Sequence, residues 1–158
     1  MNDIVKPNIS IAQEHYSPEL VEELKPLIKK NWEESPLYEK EIALAPDFQK
    51  YRAMDDAGLV LCMTGRVDGR LVGYAIWYII KSFNYPGESG HGIALYIEDA
   101  YRGYGVWLLK RSEALLRKRG IRRFYWFARP NSLPYKLVKA MGYREDEVVM
   151  EKIDVSGH

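Results

Sequence analysis

The residues best suited to chemistry are two glycines between a strand pattern and a helix pattern. The run from Gly92 to Ile97 is mostly apolar, Gly103-Tyr104-Gly105 follows a short polar stretch, and a helical pattern begins at once. Glycines let backbone N–H groups point at one spot, and a new helix adds unpaired N–H groups and the positive end of its dipole. This order predicts a site where backbone N–H groups bind an anion, which we call the anion cradle. Phosphate is its expected ligand.

Composition excludes several classes of function. With 158 residues, 47% of them hydrophobic, the chain is expected to form one domain, 1–158, with its own core. A net charge of +1 gives no global attraction to nucleic acid or membrane. No signal core or membrane-length apolar run is present, so a cytoplasmic protein is expected. The single cysteine, Cys62, cannot form an internal disulfide or a cysteine metal cluster, and no metal site is predicted.

Charge is unevenly distributed along the chain. Between Glu19 and Asp56 there are ten acidic and six basic residues, whereas eight basic residues and one acidic residue lie between Arg102 and Arg123. Two solvated helix faces would explain this split. A basic end for a polyanionic cofactor and an acidic end for a cationic substrate would explain it equally well.

Hydrophobic periodicity predicts an α/β order of elements. Asp68-Gly69 is expected to make a hairpin turn, Pro26 to kink or interrupt the first helix, and Gly73 to mark a bulge or a close approach. An antiparallel start followed by a helical crossover gives a mixed sheet with helices on both faces. The predicted strands are 8–13, 59–67, 71–81, 92–97, 123–128 and 147–153, and the predicted helices are 17–31, 47–58, 104–119 and 131–141.

The stretch around the two glycines resembles the core motif of the GNAT superfamily of acyl-CoA N-acyltransferases. That motif is Arg or Gln, two residues, Gly, one residue, then Gly or Ala, and we place it on Arg102, Gly105 and Trp107. Asn131 and, eleven residues on, Gly142-Tyr143 match the family's closing pattern. The resemblance covers about 59–153, whereas 1–58 match only in the order of elements.

The resemblance implies a GNAT fold whose sheet splays between strands four and five. It also implies an N-acetyltransferase that uses acetyl-CoA as co-substrate and a primary amine as acceptor, by direct attack in a ternary complex. A small-molecule or protein amine is the expected partner, and a homodimer is left open. The alternative is a catalytically weak or inactive GNAT-fold binding or regulatory protein.

The resemblance also assigns the cofactor-binding residues. The pantetheine amides would pair with the edge of strand four at Leu95 and Ile97, and the N–H of Ile97 would polarise the thioester carbonyl. Asn131 is assigned to the cofactor as well. The pyrophosphate would lie on the backbone N–H groups of Arg102, Gly103, Tyr104, Gly105, Val106 and Trp107.

The candidate base is His91, six residues before Ile97, where the family often has Glu or His. An imidazole titrates near neutral pH, and Glu88 is the alternative base. Simple alternation would put the side chains of one face at His91, Ile93, Leu95 and Ile97, with roughly 20 Å between base and oxyanion position, which favours a water relay. The family's usual acid, a tyrosine, is replaced by Val138, and Tyr135 is the candidate substitute.

Two further expectations concern large side chains. Trp107 stands where the family has Gly or Ala; its ring is expected to turn into the core, the other orientation being one that fills the cofactor groove. The amine is expected to enter past Trp32, Glu33, Tyr38 and Tyr78, where carboxylates attract its charge and aromatic rings shape the site.

Overall fold

A five-stranded mixed sheet lies at the centre of the structure, a computed structural model that describes residues 8–36 and 41–154. Its strands follow the chain order β1-β2-β3-β4-β5. A 3-10 helix, Asp99–Tyr104, joins β4 to α3. The strands are β1 (Ile9–Gln13), β2 (Val60–Val67), β3 (Arg70–Lys81), β4 (Glu88–Ile97) and β5 (Arg123–Trp126), and the helices are α1 (Pro18–Glu33), α2 (Phe48–Asp56), α3 (Gly105–Lys118) and α4 (Leu133–Ala140).

The sheet is antiparallel from β1 to β4, and β5 pairs parallel with β4. The parallel pair arises because α3 carries the chain back across the sheet before β5 begins. Asp68 and Gly69 both have positive φ, at 50° and 79°, as the two-residue hairpin between β2 and β3 requires. The predicted mixed α/β sheet is therefore confirmed.

Side-chain caps define where three helices begin. Ser17 accepts the N–H of Leu20 at 3.1 Å, and Asp47 accepts the N–H of Lys50 at 3.0 Å. Ser132 caps α4 in the same way. A capping oxygen satisfies an N–H group that has no partner inside the helix. The predicted interruption at Pro26 is absent, because α1 runs through it as one helix of 16 residues.

The sheet has a separate apolar core on each face, so helices cover both sides as predicted. On one face, α1 packs Leu20 and Leu24 against Cys62 and Tyr74. On the other, α3 packs Leu108 against Leu61. We refer to these as the α1 face and the α3 face. No helix in the described ranges is long and apolar enough to cross a membrane.

Two strand predictions need correction. The segment 147–153 forms no strand, and Val148, Val149 and Met150 are largely exposed. An alternating or apolar pattern becomes a strand only when a neighbouring strand pairs with its backbone. By the same reasoning β4 begins at Glu88 rather than Gly92, because β3 continues to pair with this polar segment as far as Lys81.

Gly73 marks the close approach that the sequence predicts. A Cβ at this position would stand 2.9 Å from both Cγ1 of Ile97 and the carbonyl oxygen of Tyr96. The register of β2 and β3 also shifts beside it, between Gly65 and Arg66. The glycine thus lets β3 pack tightly against the end of β4, where the candidate site begins.

Candidate active site

The two strands at the centre of the site, β4 and β5, separate partway along their length. Their pairing ends with Gly92 opposite Trp126, and the N–H of Phe127 donates to the carbonyl of Gly92 at 3.1 Å. Beyond that point β4 continues to Ile97, whereas β5 has ended. One edge of β4 therefore faces a gap, which is the splay that the sequence predicts.

A β-bulge at Ile93 changes which way the second half of β4 faces. Trp77 of β3 pairs with Gly92 and Ile76 pairs with Ala94, so Ile93 has no partner. An extra residue shifts the alternation of all later side chains. Leu95 and Ile97 consequently pack in the α3-face core, whereas His91 lies opposite Tyr78 on the α1 face. The prediction that His91, Ile93, Leu95 and Ile97 share one face is therefore wrong.

The bulge also sets the direction of the backbone N–H groups. The N–H of Glu98 donates to the carbonyl of Val72 on β3 at 2.8 Å. Because N–H groups alternate in direction along a strand, those of Leu95 and Ile97 point away from β3, toward the gap. These are the two positions that the sequence assigns to the pantetheine amides. A strand edge with free donors pairs readily with an extended amide chain.

His91 lies one residue before the end of the β4–β5 pairing, between aromatic rings. Its ring stacks on Tyr125 at 4.7 Å and on Phe127 at 5.8 Å between centroids. Burial lowers the pKa of His91 below its usual 6.5, and the nearby charge of Arg123 lowers it further. The ring is therefore neutral at neutral pH, the form that accepts a proton.

A hydrogen bond to Ser89 orients the imidazole. Nε2 of His91 lies 2.8 Å from Oγ of Ser89, and this hydroxyl is 3.4 Å from the carbonyl of Ile80. When the hydroxyl donates to Ile80, Nε2–H donates to Ser89 and the lone pair resides on Nδ1. Nδ1 is buried and has no hydrogen-bond partner within residues 8–36 and 41–154. In this tautomer Nδ1 is the ring nitrogen whose lone pair can accept a proton.

Glu88, the alternative base, is the first residue of β4 and pairs with Lys81 of β3. It lies three positions before His91 in regular strand, so the two side chains point to opposite faces of the sheet. The structure thus brings His91, but not Glu88, to the α1 face beside Tyr78.

Trp126 closes the inner end of the gap, a feature that sequence reasoning missed. A Cβ on Gly92 would stand 1.7 Å from Cε3 of Trp126, so the indole lies directly on the glycine. The ring of Trp77 meets Trp126 edge-on at 4.9 Å. The only sequence signal was a glycine in a strand beside a strand rich in aromatic residues.

The segment predicted to be the anion cradle is the one where the 3-10 helix leads into α3. No side chain in the described residues caps α3, and the N–H of its first residue, Gly105, donates to the carbonyl of Arg102 in the 3-10 helix. A Cβ on Gly103 would meet nothing within 4 Å, whereas one on Gly105 would stand 3.0 Å from Cδ1 of Leu137. Gly103 therefore leaves the cradle open, and Gly105 is the position at which helix packing requires a small residue.

Trp107 does not enter the core, contrary to the prediction. Its side chain is 50% exposed, and Nζ of Lys110 lies 5.5 Å from the ring centroid. The reason is helical geometry, since Leu108 and Leu109 occupy the buried stripe and position 107 falls outside it.

Arg102, assigned to the cradle through its backbone, has its side chain directed elsewhere. Its guanidinium lies 2.6 Å from Glu34 at the end of α1 and 2.8 Å from Asp99 in the 3-10 helix. Arg102 thus links α1 to the loop that follows β4.

The candidate acid, Tyr135, is in the first turns of α4. Its hydroxyl donates to the carboxylate of Glu145, and Nζ of Lys139 lies 3.4 Å away. Asn131, in the turn before α4, has φ of 66° and is exposed. Val138 is buried in the α3-face core. The phenol of Tyr135 is therefore held by an exposed carboxylate.

The residues proposed for the acceptor are only partly brought together. Trp32 and Glu33 end α1, Tyr78 lies opposite His91, and Tyr38 falls outside the described residues. Glu33 lines a cavity of about 460 Å³ between α1 and the end of β4. Sequence reasoning missed most of this cavity, although Glu98-Asp99 directly after a strand was a usable signal. We call it the acidic pocket; its lining residues are Lys30, Glu33, Glu34, Tyr96, Glu98, Asp99 and Ala100.

Solved structures share this arrangement of elements. An aminoglycoside acetyltransferase from an uncultured soil metagenomic sample, in complex with sisomicin, has a TM-score of 0.75 and 12% identity over 94% of this chain and 97% of its own. A ribosomal-protein-alanine N-acetyltransferase from Brucella melitensis biovar Abortus 2308 has a TM-score of 0.70 and 18% identity, covering 93% and 100%. Aminoglycoside N-acetyltransferase AAC(6')-Iy in complex with CoA has a TM-score of 0.67 and 16% identity, covering 96% and 98%. At these identities the likeness shows the fold alone.

Comparisons at the level of sequence give the family. A search of curated protein sequences found no match. The model of the acetyltransferase (GNAT) family matches residues 18–143, which include the splayed strands, the cradle and the acidic pocket. The chain therefore belongs to the acetyltransferase (GNAT) family of acyl-CoA N-acyltransferases.

Proposed function

We propose that this protein transfers an acetyl group from acetyl-CoA to a primary amine by direct attack in a ternary complex. The observation that supports this most is the open edge of β4, where Leu95 and Ile97 direct N–H groups into the gap that begins beyond Gly92. The uncapped N-terminus of α3 lies just beyond the same edge. An extended amide chain that ends in a pyrophosphate fits backbone N–H donors arranged in this order.

The backbone of β4 and of the segment that follows it binds different parts of the cofactor. The N–H groups of Leu95 and Ile97 are the donors for the pantetheine arm and for the thioester carbonyl at its end. The backbone from Arg102 to Trp107 holds the pyrophosphate. Acetyl-CoA supplies the activated acetyl group, and each residue named here acts by binding or orienting it.

His91 is the proton acceptor in this proposal. An amine attacks only when neutral, so its proton must pass to a base before or during attack. Burial keeps the His91 ring neutral, and the bond from Ser89 to Nε2 leaves the lone pair on Nδ1. His91 lies on the α1 face, as does the acidic pocket at Tyr96, so the amine is expected to approach β4 from that side.

A dedicated general acid is not required. A thiol ionises far more readily than an alcohol, with a pKa of roughly 8.5 for cysteine, so the thiolate of coenzyme A is a tolerable leaving group near neutral pH. Tyr135 stays a candidate, although its hydroxyl is bound to Glu145. Loss of this acid is expected to slow the reaction without preventing it.

Calorimetric titration of the full chain with acetyl-CoA is the first test. We expect saturable binding, and no heat at high micromolar ligand would exclude the proposal. Release of free thiol during incubation with a panel of primary amines then tests transfer. The matched control is His91→Gln, which should bind acetyl-CoA but release thiol far more slowly.

A further inference from the structure

The first half of β4 lies beside a cation that the proposed function does not use. Arg123 begins β5, pairs with Ser89 of β4 and has an exposed side chain. Among the described residues, no carboxylate forms an ion pair with its guanidinium. Exposed arginines are usually only solvated, so this alone decides nothing. The surroundings of Arg123 are what point to a ligand.

Two tyrosine rings contact the guanidinium of Arg123. Its Cζ lies 4.7 Å from the ring centroid of Tyr85 and 5.5 Å from that of Tyr125. One of its N–H groups also donates to the hydroxyl of Tyr125. A guanidinium that rests on aromatic rings keeps its other N–H groups in a planar fork, the shape that matches a carboxylate. Arg123 is thus a cation held in one orientation, with donors left over for an anion.

The turn between β3 and β4 positions one of these rings. Oγ of Ser82 accepts the N–H groups of Asn84 and Tyr85, at 3.2 Å and 3.1 Å. Serine hydroxyls that bind the backbone just after them stabilise turns of this kind. Tyr85 is 61% exposed, so its ring contributes to the contact with Arg123 more than to the core. A guanidinium oriented in advance loses less conformational entropy when a ligand binds.

The candidate base lies beside this cation on the same face of the sheet. The ring of Tyr125 contacts both groups, with its centroid 4.7 Å from that of His91 and 5.5 Å from Cζ of Arg123. Burial lowers the pKa of His91, and the charge of Arg123 lowers it further, as expected for neighbouring groups. Phe127, which stacks on the other side of this arrangement at His91, is 55% exposed. A small molecule on this open surface can therefore reach both side chains.

Position along β4 separates Arg123 from the phosphates of the cofactor. The proposed pyrophosphate site begins at Arg102, beyond Ile97, whereas Arg123 pairs with Ser89. The strand from Ser89 to Ile97 spans ~26 Å at the ideal rise per residue. The thioester is at the other end of the cofactor from the adenosine phosphates, so it points back along β4 toward Gly92. An anion bound by Arg123 therefore belongs to the acceptor.

We propose that Arg123 binds a carboxylate of the acceptor, which is then a small amino acid whose amine lies at His91. This inference rests on the proposed function, because it takes His91 as the proton acceptor. Guanidinium and carboxylate form charge-assisted hydrogen bonds that are frequently bidentate. The carboxylate lies against the free N–H groups of Arg123, and the amine is directed toward the start of the gap. Charge complementarity at this end of the face selects amines that also carry an anionic group.

Thiol release from acetyl-CoA tests the inference with two pairs of amines. Phenylalanine and phenethylamine differ only in the carboxylate, as do 4-aminobutyrate and propylamine. The two amino acids differ in the separation between amine and carboxylate. In wild type, kcat/KM should be higher for the amino acid than for the plain amine in at least one pair. An equal or lower value for the amino acid in both pairs would overturn the inference.

Substitutions at the cation and at one ring test which residue carries the preference. Arg123→Gln should lower the ratio of kcat/KM values about tenfold or more, because it removes charged hydrogen bonds. Arg123→Lys and Tyr85→Ala should each keep part of the preference, since one loses the planar fork and the other one of its two supporting rings. Lys118→Gln, which removes an exposed charge at the end of α3, should behave as wild type.

The ratio between the two amines is the decisive quantity. A changed charge beside His91 alters the rates with both amines of a pair alike, whereas a lost carboxylate contact affects the amino acid alone. An unchanged ratio in Arg123→Gln would therefore contradict the proposal, whatever happens to the rates themselves. Circular dichroism confirms that each variant is folded.

Calorimetry on the full chain gives a measurement that does not depend on transfer. The N-acetylated products of each pair differ in the carboxylate just as the acceptors do. Wild type should bind the acetylated amino acid more tightly in at least one pair, and Arg123→Gln should not distinguish the two. Equal affinities within both pairs, or no binding of any product, would overturn the inference. If no amine releases thiol, the proposed function fails, and this titration still decides whether Arg123 binds a carboxylate.

Discussion

The two halves of β4 differ in their surroundings more than in their sequence. From Ser89 to Gly92 the strand is paired on both sides, and Trp126 covers Gly92. From Ile93 to Ile97 it is paired with β3 alone, and a bulge has turned its N–H groups toward the gap. The first half holds His91 against the rings of Tyr125 and Phe127, and the second half presents backbone N–H groups to a ligand. The candidate site is therefore made by ending a strand pair, more than by any unusual side chain.

Gly92→Ala should have the largest effect, because it changes the segment of β4 that pairs with both β3 and β5. The new methyl would stand 1.7 Å from the ring of Trp126, which would have to leave its place against Trp77. We expect the free energy of unfolding to fall by about 3 kcal/mol or more, measured by urea denaturation. Gly103→Ala is the control, since its methyl meets nothing within 4 Å. Equal midpoints for the two variants would show that Trp126 does not rest on Gly92.

His91→Gln should remove the base without opening the sheet. A positioned base typically contributes about 10²-fold or more, so we expect kcat/KM to fall by that factor with little change in acetyl-CoA affinity. Steady-state kinetics and calorimetry on the same preparation separate the two quantities. Retention of full activity would assign the base to another group.

The pH dependence of wild type provides a further test of His91. Burial lowers its folded pKa below 6.5, so the acid limb of kcat/KM should have its midpoint below 6.5, apart from the limb given by the amine itself. The unfolded ring titrates near 6.5, so this residue's contribution to stability is complete above that pH and is lost as pH falls toward the folded pKa. Urea denaturation at pH 7 and pH 5 should therefore show a larger loss of stability in wild type than in His91→Gln.

Ser89→Ala should test the first half of β4 more finely, because it removes one side-chain contact of His91. The substitution removes the 2.8 Å bond to Nε2 of His91, which is worth roughly 1 kcal/mol. We expect kcat/KM to fall by a few fold and the acid limb to move, whereas Ser10→Ala on the exposed side of β1 should change neither. An unchanged pH profile would mean that Ser89 does not orient the ring.

Gly103→Ala should have the smallest effect on the fold and should change only the binding of the cofactor beyond the end of β4. Stability should stay within about 0.5 kcal/mol of wild type. The affinity for acetyl-CoA should fall by a few fold, because the methyl projects into the cradle where the pyrophosphate approaches the backbone. Calorimetry measures this, and unaltered affinity would place the pyrophosphate away from Gly103.

Much of the fold could be predicted because it depends on local patterns. Ser17, Asp47 and Ser132 cap helices with their own side chains, and Asp68-Gly69 adopts the positive φ values of a hairpin, so neighbouring residues suffice to specify these features. The last strand was predicted wrongly because 147–153 has the composition of a strand but no neighbour to pair with.

The sequence by itself determined the order of strand, glycines and helix, and with it the family; from the same order it predicts the cradle and the candidate base. Only the tertiary structure decided how these parts face one another. The bulge at Ile93 reversed the predicted alternation of side chains in the second half of β4. Trp126 packs on Gly92, and Arg102 pairs with Glu34, 68 residues away in the chain. Local sequence fixes backbone preferences over a few residues, whereas register, gaps and ion pairs depend on which distant surfaces meet when the chain folds.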